Sequence, residues 1–595
     1  MTSAMHHHNS EYLNRPLSVI DARLKEHPGC SADELSTHFS VYFSSPDAMN
    51  SIPLYTAASS RTLRNGALVR FRCSVQDNSF NPQEYFRHVS LRNAATGATD
   101  SLPTVFRDTL PEKNGFTALE PDMRRFTPDL VGEKHPVYCV AIPGENDWVR
   151  AAVIASRGSN GDGDAVLADG MAGLNIADQQ SQAPALPAKL PDPTSPHAVG
   201  ALVKTYGADP SFRLNDVIDV VGVIERTPAS TEPAEEDPMA DVAESAAFAA
   251  VPRIHALFYK RLVGPALDNV AGVVSEGDVN MGAWRAEVVS LLTQQLAGDA
   301  LAAEYLLLHL LSKIDHRSAD DTAIGYLPLN ISNYPVDPAF SSSLYTLLSL
   351  ILPRSHRLQL TLDHLNTRAR IAPAQATADL ATDIGLHAGE LQLAPGTLVL
   401  IDEAGLRDGA LNERGVRNVQ HLATAIRAAR LPCLIPYGEI SQDIDLRFLV
   451  LSQGKCMFGI DCIVPLVPAA QQEPPPPPPV AEVDTALLAR ARALLATAQH
   501  APYSIPQDMV DVIGADYSAQ RAAAPSKGAV DMGDLSRRLE VAKLLCRSLG
   551  IRELGREEWE WAGRLEEERR LRVGVKKVPA AAATATARHA EVAGR

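Results

Sequence analysis

Paired cysteines and long apolar runs are missing from this 595-residue chain. The seven cysteines stand singly, and the closest two, Cys456 and Cys462, fit no common zinc-binding spacing. The odd count and the lack of a secretory signal favour a reducing compartment. No uninterrupted run of about 18 apolar residues occurs, so neither a membrane-spanning helix nor a membrane partner is expected.

The chain also has few aromatic residues, and its acidic residues outnumber its basic ones. Aromatic residues make up 5% of the chain, and the formal net charge is -16. A surface with this charge repels phosphate backbones, so direct DNA binding is not expected and protein partners are favoured. The length is sufficient for several domains.

The first half of the chain has the pattern of a small β-barrel interrupted by an insertion. Residues 10–155 are predicted to hold N-terminal helices and the first barrel strands, because segments such as 67–77 alternate apolar and polar residues. Residues 156–198 are rich in Gly, Asp, Ala, Gln, Ser and Pro and are predicted to be disordered. Residues 199–225 are predicted to end the barrel. An OB-like fold is favoured, since its loops tolerate long insertions.

The second half of the chain alternates helix-like and strand-like segments. After an acidic linker at 226–247, this alternation over residues 248–470 predicts an α/β domain with a mostly parallel sheet. A polyproline spacer at 471–482 precedes a helical region at 483–575 and a flexible tail at 576–595. The predicted fold class is therefore a multidomain α/β protein.

A Gly-Asp turn ahead of an apolar helix has the outline of a phosphate loop. Such loops need glycines to wrap phosphates, a lysine to neutralise them, and a Ser or Thr to hold magnesium. Gly298 and Asp299 match the loop of MCM helicases. Leu301 stands where the second glycine belongs, Glu304 where the lysine belongs, and Tyr305 where the serine belongs. The alternative interpretation, a buried and well-packed helix, is favoured when the segment is taken by itself.

An apolar strand ending in Asp402 and Glu403 has the form of a Walker B strand, whose acidic residues position magnesium and water. Without an upstream lysine we interpret the pair as relics or as structural caps. ATP turnover is not expected. The sequence predicts no catalytic residue, no cofactor and no metal site.

Two further groups of residues have two interpretations each. Arg70 and Arg72 share one face of a strand, with Phe71 on the other, and fit either a single-stranded DNA track or a solvent-facing strand, which the net charge favours. Trp559 and Trp561 lie two residues apart and cannot share a helix face. One is expected to anchor the core and the other to serve as a partner-binding hot spot.

Several segments, in the same order along the chain, resemble the family of mini-chromosome maintenance (MCM) complex-binding proteins. They are residues 68–77, 137–145, 251–256, 285–293, 298–310, 400–403 and 415–419. The resemblance implies an N-terminal region bearing the barrel, a degenerate AAA+-like domain and a C-terminal helical lid. It also implies a nuclear protein without enzymatic activity that binds MCM helicase subunits and reaches chromatin through them.

The same resemblance implies roles in DNA replication, in release of MCM from chromatin and in sister-chromatid cohesion. Two other functions stay open from the residues themselves. One is an active AAA+ ATPase or helicase loader with an unusual nucleotide site, and the other is an OB-fold protein that binds single-stranded nucleic acid.

Overall fold

The computed structural model describes these residues: 11–27, 29–110, 115–119, 127, 130–155, 186–226, 248, 251–268, 280–335, 337–368, 370–375, 385–468, 483–523 and 531–574. Within these ranges, every helix is too short or too polar to cross a membrane. The same ranges contain no cluster of His, Cys, Asp and Glu side chains suited to a metal ion.

Three short helices open the described chain: α1 (Pro16–Glu26), α2 (Ala32–Tyr42) and α3 (Pro46–Ser51). Helix α2 begins in a capping box, in which Ser31 Oγ accepts from the Glu34 N–H and the Glu34 carboxylate accepts from the Ser31 N–H. The buried faces of α1 and α2 pack against the outside of the following barrel.

Nine strands follow, and five of them close into a barrel. The strands are β1 (Leu68–Asp77), β2 (Gln83–Phe86), β3 (His88–Asn93), β4 (Thr99–Pro103), β5 (Phe116–Ala118), β6 (Val131–Ala141), β7 (Gly200–Tyr206), β8 (Val217–Glu225) and β9 (Arg253–Arg261). The closed order is β1-β6-β7-β9-β8-β1, with β7 and β9 parallel and all other neighbours antiparallel. The predicted small barrel is confirmed, and OB-folds are five-stranded Greek-key barrels of this kind.

Two predicted boundaries of the barrel are wrong. Strand β9 lies beyond the acidic linker, so the barrel does not end at residue 225 and the α/β domain does not begin at 248. Residues 186–198, predicted to be disordered, are ordered against the barrel. They are held there by Lys189, which is fully buried, forms an ion pair with Asp77 and also donates to the Leu386 carbonyl. The rest of the predicted insertion lies outside the described residues.

Helices α4 (Asp147–Ala155) and α5 (Pro265–Asp268) directly follow the barrel strands β6 and β9. The remaining elements build an α/β module. The helices of the module are α6 (Met281–Gln295), α7 (Ala300–Leu311), α8 (Pro338–Ile351), α9 (Glu413–Ala428), α10 (Thr485–Gln499), α11 (Gln507–Ala523), α12 (Met532–Leu549) and α13 (Arg556–Gly574). Its strands are β10 (His316–Arg317), β11 (Ala323–Ile324), β12 (Leu329–Ser332), β13 (Ser355–Gln359), β14 (Ala374–Gln375), β15 (Leu386–His387), β16 (Thr397–Asp402), β17 (Arg430–Ile435), β18 (Gly438–Asp443), β19 (Leu446–Leu451) and β20 (Cys462–Pro465).

An all-parallel sheet with the order β13-β16-β19-β12-β20 forms the centre of this module, as the apolar runs predict. Side chains alternate between its faces, so Leu398 and Leu400 join one hydrophobic cluster while Val399 and Ile401 join the other. The first cluster includes α6, α7, α8, α10, α12 and α13. The C-terminal helices therefore form a layer of the module rather than a separate cover. The predicted polyproline spacer and tail lie outside the described residues.

The barrel and the α/β module contact each other through hydrogen bonds to backbone carbonyls near the ends of strands and helices. Asn146 Nδ2 and Trp148 Nε1 both donate to the Leu352 carbonyl, at 2.7 and 2.9 Å. The Ser355 N–H donates to the Gly144 carbonyl at 2.8 Å. With the Lys189 contact to Leu386 in β15, these bonds attach the α/β module to the barrel.

We expect Lys189→Met to lower the free energy of unfolding by about 3 kcal/mol, because it leaves the buried Asp77 carboxylate without its cation. Urea unfolding followed by tryptophan fluorescence measures the change. Lys260→Met, at an exposed site in β9, is the control and should shift stability by no more than about 0.5 kcal/mol. Equal effects of the two variants would contradict the importance of the buried pair.

The carboxylate of Glu225, at the end of β8, makes contacts whose contribution to stability depends on pH. Burial alone raises its pKa, but a hydrogen bond from His255 and the N–H groups of Asp108 and Thr109 outweigh burial and lower the pKa to about 2, from an ordinary 4.5. The stabilisation is complete above pH 4.5 and is lost as the pH falls from there towards 2.

We therefore expect Glu225→Gln to lose less stability than the parent as the pH falls from about 5 to about 3. The reason is that only the parent has a carboxylate whose stabilising charge is lost in this range. Urea midpoints at the two pH values measure the difference. Glu557→Gln, at an exposed position in α13, should follow the parent. An unchanged pH slope in Glu225→Gln would show that this carboxylate does not contribute.

Candidate functional site

The carboxyl ends of parallel strands are where ligands bind in open α/β sheets. In the sheet of this protein, β12 is the first strand in chain order and lies between β19 and β20. The acidic pair Asp402 and Glu403 stands at this edge, at the end of β16 and in the turn after it, as the sequence predicts.

The segment in the position of a phosphate loop, between a strand and a helix, joins β12 to α8. It runs from Asn333 to Asp337 and contains neither glycine nor lysine. Asp337 instead caps α8, accepting from the Ala339 N–H at 2.9 Å. A carboxylate at this helix N-terminus places negative charge where a phosphate would bind.

The predicted phosphate-loop-like positions at Gly298 to Tyr305 lie elsewhere, and that placement is wrong. Gly298, with a positive φ of 83°, is in the turn between helices α6 and α7, whereas a phosphate loop follows a strand. Leu301 is buried in the apolar cluster beneath α7. The alternative interpretation, a buried and well-packed helix, is the one the structure supports.

Asp299 is the N-cap of α7 and is almost fully buried. Its Oδ1 accepts from the N–H groups of Leu301 and Ala302, at 3.0 and 3.2 Å. Its Oδ2 accepts from the Val467 N–H at 2.8 Å, and Arg572 Nη1 donates to both oxygens at 2.9 and 2.7 Å. The carboxylate therefore neutralises the helix N-terminus and is itself neutralised by the last helix.

The polar side chains of Glu304 and Tyr305, within α7, are also bound by partners inside the protein. Glu304 accepts from both terminal nitrogens of Arg285, one at 3.2 Å. Tyr305 donates from its hydroxyl to Glu566 at 2.6 Å, and Glu566 is paired with Arg569. Burial and the neighbouring Glu566 charge raise the pKa of Tyr305 far above its ordinary value. These groups hold α6, α7 and α13 together.

Asp402, the first residue of the Walker-B-like pair, is a structural cap. Its Oδ1 accepts from the Ala404 N–H at 3.0 Å, and its Oδ2 accepts from Arg357 at 3.2 Å. Arg357 also donates to the hydroxyls of Ser341 and Ser342 in α8, at 2.7 and 3.0 Å. Arg357 therefore places a positive side chain of the protein itself at the edge between β13, β16 and α8.

Glu403 faces sulfur and backbone rather than a cation. Its Oε1 accepts from Cys456 Sγ at 3.3 Å and from the Met457 N–H at 3.4 Å. Burial raises the pKa of Glu403, and these two hydrogen bonds only partly offset the rise. Such a carboxyl is poorly suited to hold magnesium beside Asp402, whose oxygens already have partners.

The residues with two interpretations are placed as follows. Arg70 binds Asp219 through Nε and Nη2, at 2.9 and 2.6 Å, and Arg72 lies 3.4 Å from Glu145. Both guanidinium groups are thus paired within the barrel region. Trp559 is buried in the core and donates to Asp516, as predicted for one of the two tryptophans.

Trp561, the other of the two tryptophans, is half-buried. Its ring lies under the Arg285 guanidinium, 4.8 Å from the ring centroid. This contact links α6 to α13 and leaves part of the ring at the surface.

The sequence did not identify the arginines that close these sites. Arg357, Arg285 and Arg572 lie 45, 19 and 273 residues from the carboxylates they bind. Only the sequence of α13 contained a signal for these pairs: Arg569 and Arg572 are three residues apart, so they lie on one helix face and can bind neighbouring carboxylates.

The family model described as "Mini-chromosome maintenance replisome factor" matches residues 39–166 and 171–573. Curated proteins named mini-chromosome maintenance complex-binding protein are similar along nearly their whole length. The protein of Salmo salar is 27% identical, with 95% of this chain and 98% of its own covered. The Gallus gallus protein is 28% identical, with 96% and 98% covered, and the Arabidopsis thaliana protein is 28% identical, with 90% and 92% covered.

We expect Asp299→Ala to lower the free energy of unfolding by about 3 kcal/mol, because it removes a buried cap and leaves Arg572 unpaired. The same substitution at the exposed cap Asp337 should cost only about 1 kcal/mol. Urea unfolding followed by tryptophan fluorescence compares the two variants. A smaller loss at Asp299 than at Asp337 would contradict the proposed contribution of the Arg572 contact.

Proposed function

Because this chain belongs to the mini-chromosome maintenance replisome factor family, as its sequence blocks predict, we propose that it binds MCM helicase subunits and performs no catalysis of its own. The observation that carries the proposal is the similarity, over nearly the whole of both chains, to proteins named for binding the MCM complex. The barrel and the α/β module both lie inside the matched residues.

The contacts at the edge of the parallel sheet support a non-catalytic role. The segment after β12 lacks the glycines and the lysine that a triphosphate needs. Asp402 is bound by Arg357, and Glu403 has a raised pKa. Each group that could hold magnesium or orient water is therefore engaged in holding the protein together.

We further propose that the α/β module is a degenerate AAA+-like domain. Numbered in chain order, its sheet strands run 5-1-4-3-2 from β20 to β13, which is the order of AAA+ modules. AAA+ modules pack side by side in MCM rings. A mimic of one module can therefore occupy the place of a neighbour without hydrolysing ATP.

The cellular setting of this binding is also part of the proposal. The protein acts in the nucleus, associates with chromatin through the MCM subunits it binds, and takes part in DNA replication, MCM release from chromatin and sister-chromatid cohesion. The family resemblance is the support for these roles. Direct contact with DNA is not required, and the pairing of Arg70 and Arg72 within the protein agrees with that.

A binding experiment tests the central proposal. The full chain carrying an affinity tag is mixed with each purified MCM subunit, and recovery is followed by size-exclusion chromatography. We expect at least one subunit to co-elute with submicromolar affinity, a value on the order of −8 kcal/mol or stronger. An unrelated protein that carries the same tag and has a similar net charge is the control. Failure to bind any subunit, alone or from nuclear extract, would contradict the proposal.

ATP turnover distinguishes this function from an active ATPase. Purified full chain with MgATP should release no more phosphate than Glu403→Gln, because neither carboxylate at the sheet edge has magnesium-binding geometry. Hydrolysis by the parent that disappears in Glu403→Gln would favour an active ATPase or helicase loader instead.

A further inference from the structure

A cavity of 370 Å³ lies between helix α9 and the small sheet β15-β14-β17-β18, apart from the edge of the parallel sheet. Arginine, histidine and asparagine side chains form its polar lining, and small or aliphatic side chains form the rest. The main lining residues are Arg370, Arg414, Arg417, His421, Ala372 and Leu434. A cavity of this size holds a small ligand or a single side chain.

The polar side of the cavity is one face of α9. Arg414, Arg417, Asn418 and His421 are spaced by three, four and seven residues, which places them on the same side of the helix. Asn418 Nδ2 donates to the Leu365 carbonyl at 2.9 Å, which fixes α9 against the segment that leads to Arg370. The walls are therefore held in place before any ligand enters.

The charges in the cavity are unusual for a chain with a net charge of -16. Arg370 forms no ion pair within the part of the chain that the structure describes, and burial together with the positive charge of Arg414 lowers its pKa. The positive charge of Arg414 thus disfavours the charged form of Arg370. An anion bound beside Arg370 would favour its charged form.

His421 adds a donor to this positive face. It is 8% exposed, and its Nδ1 has no hydrogen-bond partner among the described residues. Two carboxylates beside this face lie at the surface: Glu439, 3.9 Å from His421 Nε2, and Glu413, which pairs with Arg417. A third, Glu390, is paired with His364. Among the described residues, no carboxylate lines the cavity.

We propose that this cavity binds the phosphate of a phosphorylated threonine or serine side chain of a partner protein. Guanidinium groups bind phosphate oxygens through two parallel hydrogen bonds, and arginine clusters are the common means of recognising phosphorylated peptides. Arg370 and Arg417 supply that recognition, and His421 donates a further hydrogen bond. Ala372 and Leu434 contact the aliphatic part of the modified side chain.

The shape of the cavity favours a single phosphate over a nucleic acid. Single-stranded nucleic acids are bound along grooves that continue over several nucleotides, with cations and aromatic rings repeated along them. Here the cations come from about two turns of α9, between Arg414 and His421, and from Arg370. No aromatic side chain lines the cavity in the part of the chain that the structure describes. The strongly negative chain also disfavours a long polyanion.

Calorimetric titration of the full chain with the blocked peptide Ala-Ala-phosphothreonine-Ala-Ala tests the proposal. We expect a dissociation constant on the order of 100 μM, and no binding of the unphosphorylated peptide. Arg370→Gln and Arg417→Gln should each weaken binding about tenfold, since each removes a charge-assisted hydrogen bond. Arg564→Gln, at an exposed position of α13, removes the same charge elsewhere and should leave binding unchanged.

Three results would overturn the assignment. They are equal binding of the two peptides, binding that survives both Arg370→Gln and Arg417→Gln, and inorganic phosphate binding as tightly as the phosphopeptide. A ten-nucleotide thymidine strand that binds more tightly than the peptide, and loses affinity in Arg417→Gln, would assign the cavity to nucleic acid instead. Arg417 is exposed, so its substitution keeps the test valid if Arg370→Gln lowers stability.

Discussion

The buried carboxylate of Asp299 is the contact on which the α/β module depends. It accepts from the N-terminus of α7, from the backbone after β20 and from Arg572 in the last helix. Segments from the start and the end of the module thereby meet at one point. A buried carboxylate is stable only when its hydrogen bonds and charge are both satisfied, so the position of α13 is specified by this group as well as by apolar packing.

The same principle operates at the other acidic groups of the module. Glu304 and Asp402 each bind an arginine from another element, and Glu566 binds Arg569 one turn further along α13. In an ATPase, acidic residues at the sheet edge, where Asp402 lies, would position magnesium and water. Here Asp402 faces the protein's own Arg357, so the sheet edge contributes to stability.

The sequence predicted those parts of the fold whose signal is local. Continuous apolar runs predicted buried parallel strands such as β16 and β19, and alternation predicted the barrel strand β1. The order of residues 186–198 was missed because the partners of Lys189, Asp77 and Leu386, are far away in sequence. Composition alone describes such a segment as unable to fold.

The site was predicted less well than the fold, for a related reason. An apolar segment followed by Gly298 has the same pattern whether the segment is a strand or a helix, and only the sheet topology shows that it is α6. Asp402 and Glu403 were placed correctly at a strand end because that signal is local. Their partners Arg357 and Cys456 come from other elements, and periodicity carries no information about such pairs.

An electron cryomicroscopy reconstruction of the full chain bound to an MCM subunit, prepared with MgATP, tests the account most directly. We predict that the α/β module, residues 280–574, packs against the ATPase module of the subunit. We also predict that the edge formed by Asp402 and Arg357 contains no nucleotide. Density for ATP and magnesium at Asp402 and Glu403, or a complex in which the α/β module makes no contact with the subunit, would contradict it.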